Sequence, residues 1–340
     1  MLLPSDKLAI FMEDSLGETA GKMGYGVLRY SPNAVVAVID SHHAGKHVSD
    51  VVTTARDAPV VRSIQEAHAL GATAMVLGIA PPGGLIPPAW YPMLDEAIGL
   101  GMKLVNGLHD QLTPRYPQTP DLIWDVRVEP TGLGVGTGRA ATLPNRRVLF
   151  IGTDMAIGKM TAGLEIWRVA REQGINAAFI ATGQIGITVT GSGVPLDAVR
   201  VDFASGAIER EVMANAAAEL ILVEGQGALI HPGSTANLPL LRGSCPTHLI
   251  LCHRANQKGL YRYPEIQIPP LREYIDLYES LATACGTFPR PKTVAIALNT
   301  AHVDATEARA SAKRYEDETG LPVIDPVRDG AEALVAAVMA

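Results

Sequence analysis

Short apolar runs at residues 8–12, 35–39, 75–79 and 103–106 punctuate the first half of the chain, each followed by polar or glycine-containing positions. Runs of four or five apolar residues between such breaks read as strands. Residues 60–70 and 91–100 instead carry their apolar positions at helical spacing. Strand and helix in alternation predict an open parallel sheet, whose ligands bind at the carboxyl ends of the strands. Those ends are polar or glycine-rich here: residues 40–46, 80–84 and 106–110.

The second half alternates again. A helix at 159–171 closes at Gly174 and leads to a strand at 177–181; a helix around 207–218 precedes a strand at 220–223. Strands at 248–252 and 293–298 and helices at 271–284 and 305–318 complete a second doubly wound pattern. A chain of 340 residues exceeds the size at which one core stops growing, so two domains are expected. The boundary falls near residue 144, giving 1–143 and 144–340, with the glycine- and threonine-rich run 131–138 read as the connection.

One junction carries chemistry. The apolar run Val148-Leu149-Phe150-Ile151 is followed by Gly152-Thr153-Asp154-Met155-Ala156-Ile157-Gly158-Lys159-Met160-Thr161. Buried strand, glycine-bounded loop, lysine and helix occur in the order of a phosphate-binding P-loop, in which backbone N–H groups and the helix N-terminus surround an anion. Gly152, Thr153, Asp154, Gly158, Lys159, Met160 and Thr161 are therefore the candidate phosphate-binding residues. The loop is one residue longer than the usual form, and Met160 stands where a serine or threonine normally follows the lysine. Thr161 lies about 100° further round the helix, so phosphate binding is better supported than hydrolysis.

Further candidates sit at the other strand ends. Glu224, after the apolar run 220–223, is placed to act as a general base or, with Thr161, to hold Mg²⁺. His231 is a second acid–base candidate, with an unperturbed pKa of about 6.5, and Lys159 completes the catalytic set. Gln184, Asp202, Gln226, His253, Arg254 and Asn299 are candidate substrate-binding residues. Arg254 is suited to a carboxylate or phosphate, and Asp202 suits either a ligand or a helix cap.

Composition narrows the function. The chain is 47% hydrophobic and 19% charged, with 35 acidic against 28 basic residues and a net charge of −7, which argues against a nucleic-acid partner. No apolar run is long enough to span a bilayer and no signal pattern opens the chain. Cys245, Cys252 and Cys285 lack metal-site spacing, which fits a reducing compartment. A cytoplasmic enzyme acting on a small molecule, assembled as a homo-oligomer, is the expectation.

The residues also carry a resemblance. Gly152 to Lys159 resembles the phosphate loop of dethiobiotin synthetase, and Glu224-Gly225 is similar to that family's strand-end acid. Nearly the whole chain, through Gly21-Lys22-Met23-Gly24, Val38-Ile39-Asp40, Gly78-Ile79-Ala80-Pro81, Val105-Asn106-Gly107, the phosphate loop, Ala181-Thr182-Gly183-Gln184, Val201-Asp202-Phe203, Glu224-Gly225-Gln226-Gly227 and Leu298-Asn299-Thr300, resembles a bacterial two-domain family. The resemblance implies an α/β fold in which a Rossmann-like N-terminal domain precedes a P-loop NTPase-like doubly wound parallel-sheet domain. One branch of that family is known as D-glutamate N-acetyltransferase and uses acetyl-CoA. The activity implied is therefore acyl transfer from acetyl-CoA to the amine of a small amino acid. Two readings stand beside it: a ligase using ATP and Mg²⁺, as in dethiobiotin synthetase, and a nucleotide-binding regulatory protein.

Overall fold

A computed structural model describes residues 1–53 and 56–340. Contacts divide the chain into two units, residues 1–129 with 184–198 and residues 130–183 with 199–340.

The first unit holds β1 (Leu8–Phe11), α1 (Lys22–Tyr30), β2 (Val35–Ile39), β3 (Val60–Val61), α2 (Ile64–Ala69), β4 (Ala74–Leu77), α3 (Tyr91–Gly99), β5 (Lys103–Asn106) and β6 (Ile123–Asp125). Its six strands are parallel in the order β3-β2-β1-β4-β5-β6, so the winding reverses between β1 and β4. Every residue of β1 and of β4 is buried, as strands covered on both faces require.

Residues 60–70, expected to be one helix, instead form β3, a break, and α2. The β-branched pair Val60-Val61 pairs with β2, and the Ser63 side chain accepts the Glu66 N–H to cap α2 afresh. Helix α1 went unanticipated because Gly24 and Gly26 interrupt its pattern. Gly24 is there for space: a Cβ would fall 2.9 Å from Met12 Cγ and closer still to its sulfur, so only glycine lets α1 approach the sheet.

The second unit runs β7 (Arg146–Gly152), α4 (Lys159–Glu172), β8 (Ala177–Ile180), α6 (Val201–Ala214), β9 (Leu220–Val223), α7 (Asn237–Ser244), β10 (His248–Arg254), α8 (Leu271–Thr283), β11 (Lys292–Asn299), α9 (Ala305–Thr319), β12 (Val323–Ile324) and α10 (Glu332–Met339). The parallel order is β12-β11-β10-β7-β9-β8. Winding reverses between β7 and β10, which opens the ligand crevice at their carboxyl ends.

The boundary expected at 143/144 lies instead at 129/130. Buried Glu209 of α6 accepts the N–H groups of Thr137 (3.0 Å), Gly138 (2.5 Å) and Arg139 (3.1 Å) and the Thr137 hydroxyl (2.6 Å). An internal carboxylate thus fills the glycine-rich loop read as a connection and fastens it to the second unit. Helix α6 also begins at Val201 and not near 207, leaving Asp202 exposed in its first turn, with no side-chain cap bond recorded at that end. The chain leaves the second unit after Gly183, and α5 (Gln184–Thr190) packs on α1 in the first. Among the described residues no helix is long and apolar enough to cross a membrane.

Candidate functional site

The phosphate loop is held open by the side chains around it. Lys159 Nζ donates to the Asp154 carbonyl (2.8 Å), Arg254 to that of Ala156 (3.3 Å) and Asn299 Nδ2 to that of Ile157 (3.1 Å). Three loop carbonyls are so engaged, the Thr153 N–H bonds to the Cys252 carbonyl and the Met155 N–H to Asp154. Among the described residues no bond is recorded for the N–H groups of Ala156, Ile157 and left-handed Gly158 (φ 113°), which lead into the start of α4 where an anion would sit. Arg254 and Asn299, expected to touch substrate, act here as braces of the loop.

Asp154 is an organiser. One carboxylate oxygen accepts the Met155 N–H (2.6 Å), and the other accepts Gln257 Nε2 (2.6 Å) and the Tyr261 N–H (2.8 Å), tying the loop to the segment after β10. Thr153 Oγ1 meets His253 Nδ1 at 2.8 Å, and His253 Nε2 meets the Tyr315 hydroxyl at 3.1 Å. Both ring nitrogens of His253 are engaged, the side chain is 1% exposed, and burial, aided by the Arg314 charge, lowers its pKa to about 4. His253 was expected at the substrate; it is a neutral internal support of Thr153.

Lys159 folds back along the strand ends. A Cβ on Gly152 would lie 2.9 Å from Nζ and one on Gly225 3.0 Å from Cδ, so both glycines clear the path of the lysine. Burial lowers Lys159 to about 8 despite the attraction of Cys252, Asp154 and Glu224. Glu224 answers it from the end of β9. Burial pushes its carboxyl up to about 7, opposed by the Thr182 (2.8 Å) and Gly183 (3.1 Å) N–H groups on Oε2 and by the Lys159 charge. A cation that loses its proton near 8 and an acid that loses one near 7 therefore share one dry strand end, which equips them for proton transfer at neutral pH.

The remaining expected residues lie in settings of their own. Gln226 Nε2 donates to Thr182 Oγ1 (3.2 Å). His231 is buried, accepts the Gly233 N–H on Nδ1 (3.1 Å) and meets the Tyr263 ring edge to face with centroids 5.4 Å apart. Gln184 opens α5 and belongs to the first unit, beside Gly107, where a Cβ would lie 3.2 Å from its Cγ. Asp202 lies on α6, near the glycine-rich loop 135–138.

For a metal, Met160 takes the helix position after the lysine and Thr161 the next, half-buried. Glu224 Oε2 is already taken by two backbone donors. Among the described residues the cluster of potential metal ligands that does form, Glu13, Asp14 and His42, lies in the first unit.

Sequence reasoning missed the floor beneath the loop. The Tyr274 hydroxyl donates to the Gly152 carbonyl (3.0 Å) and accepts the Leu229 N–H (3.1 Å), which also reaches the Tyr278 hydroxyl (3.2 Å). Tyr278 in turn donates to Asn237 Oδ1 (2.8 Å). The i, i+4 spacing of two tyrosines on one helix was the available signal. Thr182 stood within the motif Ala181-Thr182-Gly183-Gln184 and Gln257 within the polar run after residue 252, but no role was read for either.

Two parallel-sheet α/β units, Rossmann-like and P-loop NTPase-like, with a phosphate loop and a buried strand-end acid in the second, define the class. The family models agree: residues 41–129 match a domain of unknown function described as Rossmann-like (DUF1611_N), and 134–335 its partner described as a P-loop domain (DUF1611_C). The chain belongs to the DUF1611 family. A crystal structure of a DUF1611 family protein from Anabaena variabilis is 47% identical, with a TM-score of 0.94 over 98% of this chain and 99% of that one. Two curated relatives are named D-glutamate N-acetyltransferase. The one from Tritonibacter scottomollicae is 34% identical over 97% of this chain and 98% of its own length. The other, from a Pseudoalteromonas species, is 36% identical over 81% of this chain and 83% of its own.

Proposed function

We propose that this protein is an N-acyltransferase that moves an acetyl group from acetyl-CoA to the amine of an acidic amino acid, D-glutamate being the first acceptor to test. The observation that carries the reading is the pairing of a phosphate-ready loop, lacking the hydroxyl after its lysine, with Glu224 poised near neutrality beside it. The curated relatives' name supports the acceptor and the transfer of an acetyl group to nitrogen.

In this reading the loop N–H groups and Lys159 bind phosphate oxygens of the donor, and no metal is required. Both recorded bonds to the Glu224 carboxylate fall on Oε2, so Oε1 is the atom that takes a proton from the acceptor ammonium. The freed amine attacks the thioester carbonyl, the C–N bond forms, the C–S bond breaks, and the thiolate leaves and is protonated. His231 sits on the same loop as Glu224 and is the alternative proton carrier.

The test is CoA release from acetyl-CoA with D- and L-glutamate, D- and L-aspartate and glycine, in EDTA and in Mg²⁺. Expected are turnover with an acidic amino acid in EDTA, binding lost in Lys159→Ala, and turnover lowered at least 100-fold in Glu224→Gln with acetyl-CoA binding retained. Mg²⁺-dependent ATP binding with no affinity for acetyl-CoA would overturn the reading.

A further inference from the structure

After Arg254 the chain makes a compact hairpin before α8. Gly259 and Gln267 form an antiparallel bridge, Leu260 N–H bonds to the Ile266 carbonyl (3.0 Å), and Ile268 N–H to that of Lys258 (2.8 Å). A Cβ on Gly259 would press on the Pro264 carbonyl, so the turn needs glycine. The hairpin is fixed at two points of the candidate site. Tyr261 N–H and Gln257 Nε2 grip Asp154 of the phosphate loop, and the Tyr263 ring packs on His231.

What the hairpin presents to solvent is out of keeping with a structural turn. Tyr261 is 74% exposed although its backbone is pinned, and the Arg254 guanidinium lies 5.8 Å from its ring centroid. Lys258 and Arg262 are exposed, and among the described residues no hydrogen bond or ion pair is recorded for either. The hairpin's own acidic residue is Glu265, also exposed. An aromatic side chain with two rotatable angles on a pinned backbone loses little entropy when a flat base stacks on it, and unpaired cations beside it select a base that carries further negative charge.

We propose that the hairpin 258–268 is the subsite for the 3′-phosphoadenosine end of the acyl donor, with Tyr261 stacking on the adenine and Lys258 and Arg262 taking the ribose 3′-phosphate. The inference rests on the acyl-CoA reading and deepens it: the phosphate loop holds the pyrophosphate, and the hairpin distinguishes CoA from nucleotides that lack a 3′-phosphate. ATP offers the same adenine and a polyphosphate, so the ribose phosphate is the feature that separates the two ligands.

The experiment is calorimetric binding of CoA, 3′-dephospho-CoA and ATP to the full chain, as wild type, Tyr261→Ala and the double variant Lys258→Ala/Arg262→Ala. Circular dichroism checks that each variant is folded. Expected is a wild-type preference of tenfold or more for CoA over dephospho-CoA. The double variant loses that preference by weakening CoA alone, and Tyr261→Ala weakens both ligands by a similar factor. A preference that survives the double substitution, or binding indifferent to Tyr261, overturns the subsite while leaving acyl transfer standing. Wild-type protein that binds ATP and neither form of CoA overturns both.

Discussion

Glu224→Gln separates the catalytic use of the strand-end acid from its cost to the fold. Burial lifts the Glu224 carboxyl from its ordinary 4.5 to about 7. At about 1.4 kcal/mol per pH unit, that gap is worth about 3 kcal/mol. Because the folded-state pKa is the higher one, the contribution is complete below the unfolded value of 4.5 and is lost as pH rises through 7. Glutamine can still accept the Thr182 and Gly183 N–H groups through its amide oxygen but bears no charge. It also forfeits the attraction to Lys159, which returns part of the gain. The net expectation is a variant more stable than wild type by about 2 kcal/mol at pH 8.5, shrinking to a few tenths near pH 4.5. In a unit of this size that corresponds to a rise of about 4–8 °C in Tm at the higher pH. Urea unfolding of both proteins in half-unit steps from pH 5 to 8.5, alongside turnover with acetyl-CoA, gives the comparison. Stability curves that run parallel across pH 5–7.5 would refute the assignment of a buried, charge-costly Glu224.

Three further outcomes test other parts of the structure. Met160→Thr places a hydroxyl directly after Lys159 and should strengthen Mg²⁺-dependent ATP binding relative to wild type, read by calorimetry with and without the metal. Glu209→Ala strands the N–H groups of Thr137, Gly138 and Arg139 and should cost about 3 kcal/mol in urea unfolding at pH 7. Burial pushes the Glu209 carboxyl up, but these bonds outweigh it and hold its pKa below the ordinary value, so its stabilisation is present above 4.5 and is lost as pH falls through the folded pKa. Gly225→Ala would drive a methyl into the Phe150 carbonyl oxygen on β7, and a loss of at least about 4 kcal/mol, or no soluble protein, is expected.

The parts of the fold legible in the sequence were those in which one signal suffices. The strand at 220–223 appears at its predicted bounds because a run of four aliphatics, two of them β-branched, closed by Gly225 and Gly227 is too short for a buried helix and fits a doubly covered sheet. The phosphate loop was legible because glycine, lysine and helix occur in a forced order. The rest depended on contacts between residues far apart in the chain. Nothing local marks Glu209 as the partner of residues 137–139, since the pairing spans about seventy positions and looks from either end like a polar residue on a helix or a flexible loop. His253, Arg254 and Asn299 were read as ligand contacts because they are polar residues at strand ends. In the structure the loop's own carbonyls and hydroxyl claim them first. A strand end has backbone to satisfy before it has ligand to bind, and sequence does not reveal which polar residues are used up in doing so.

The same accounting explains why Glu224 is buried at all. Its carboxylate accepts the N–H groups of Thr182 and Gly183, and the Thr182 hydroxyl donates to the Glu224 carbonyl at 2.9 Å, so the ends of β8 and β9 are locked to each other through both main chain and side chain. Gly183 is the last residue of the second unit before the chain enters α5, which packs in the first. An apolar residue at 224 would relieve the burial cost but leave two N–H groups unpaired where the chain departs. The carboxylate therefore does two things at once: it satisfies the backbone at the crossing, and it sets a negative charge within electrostatic reach of Lys159. Burial favours the neutral acid while the two N–H groups and Lys159 favour the carboxylate, and the balance, which leaves the Glu224 carboxyl raised to about 7, is the one that proton transfer at neutral pH needs.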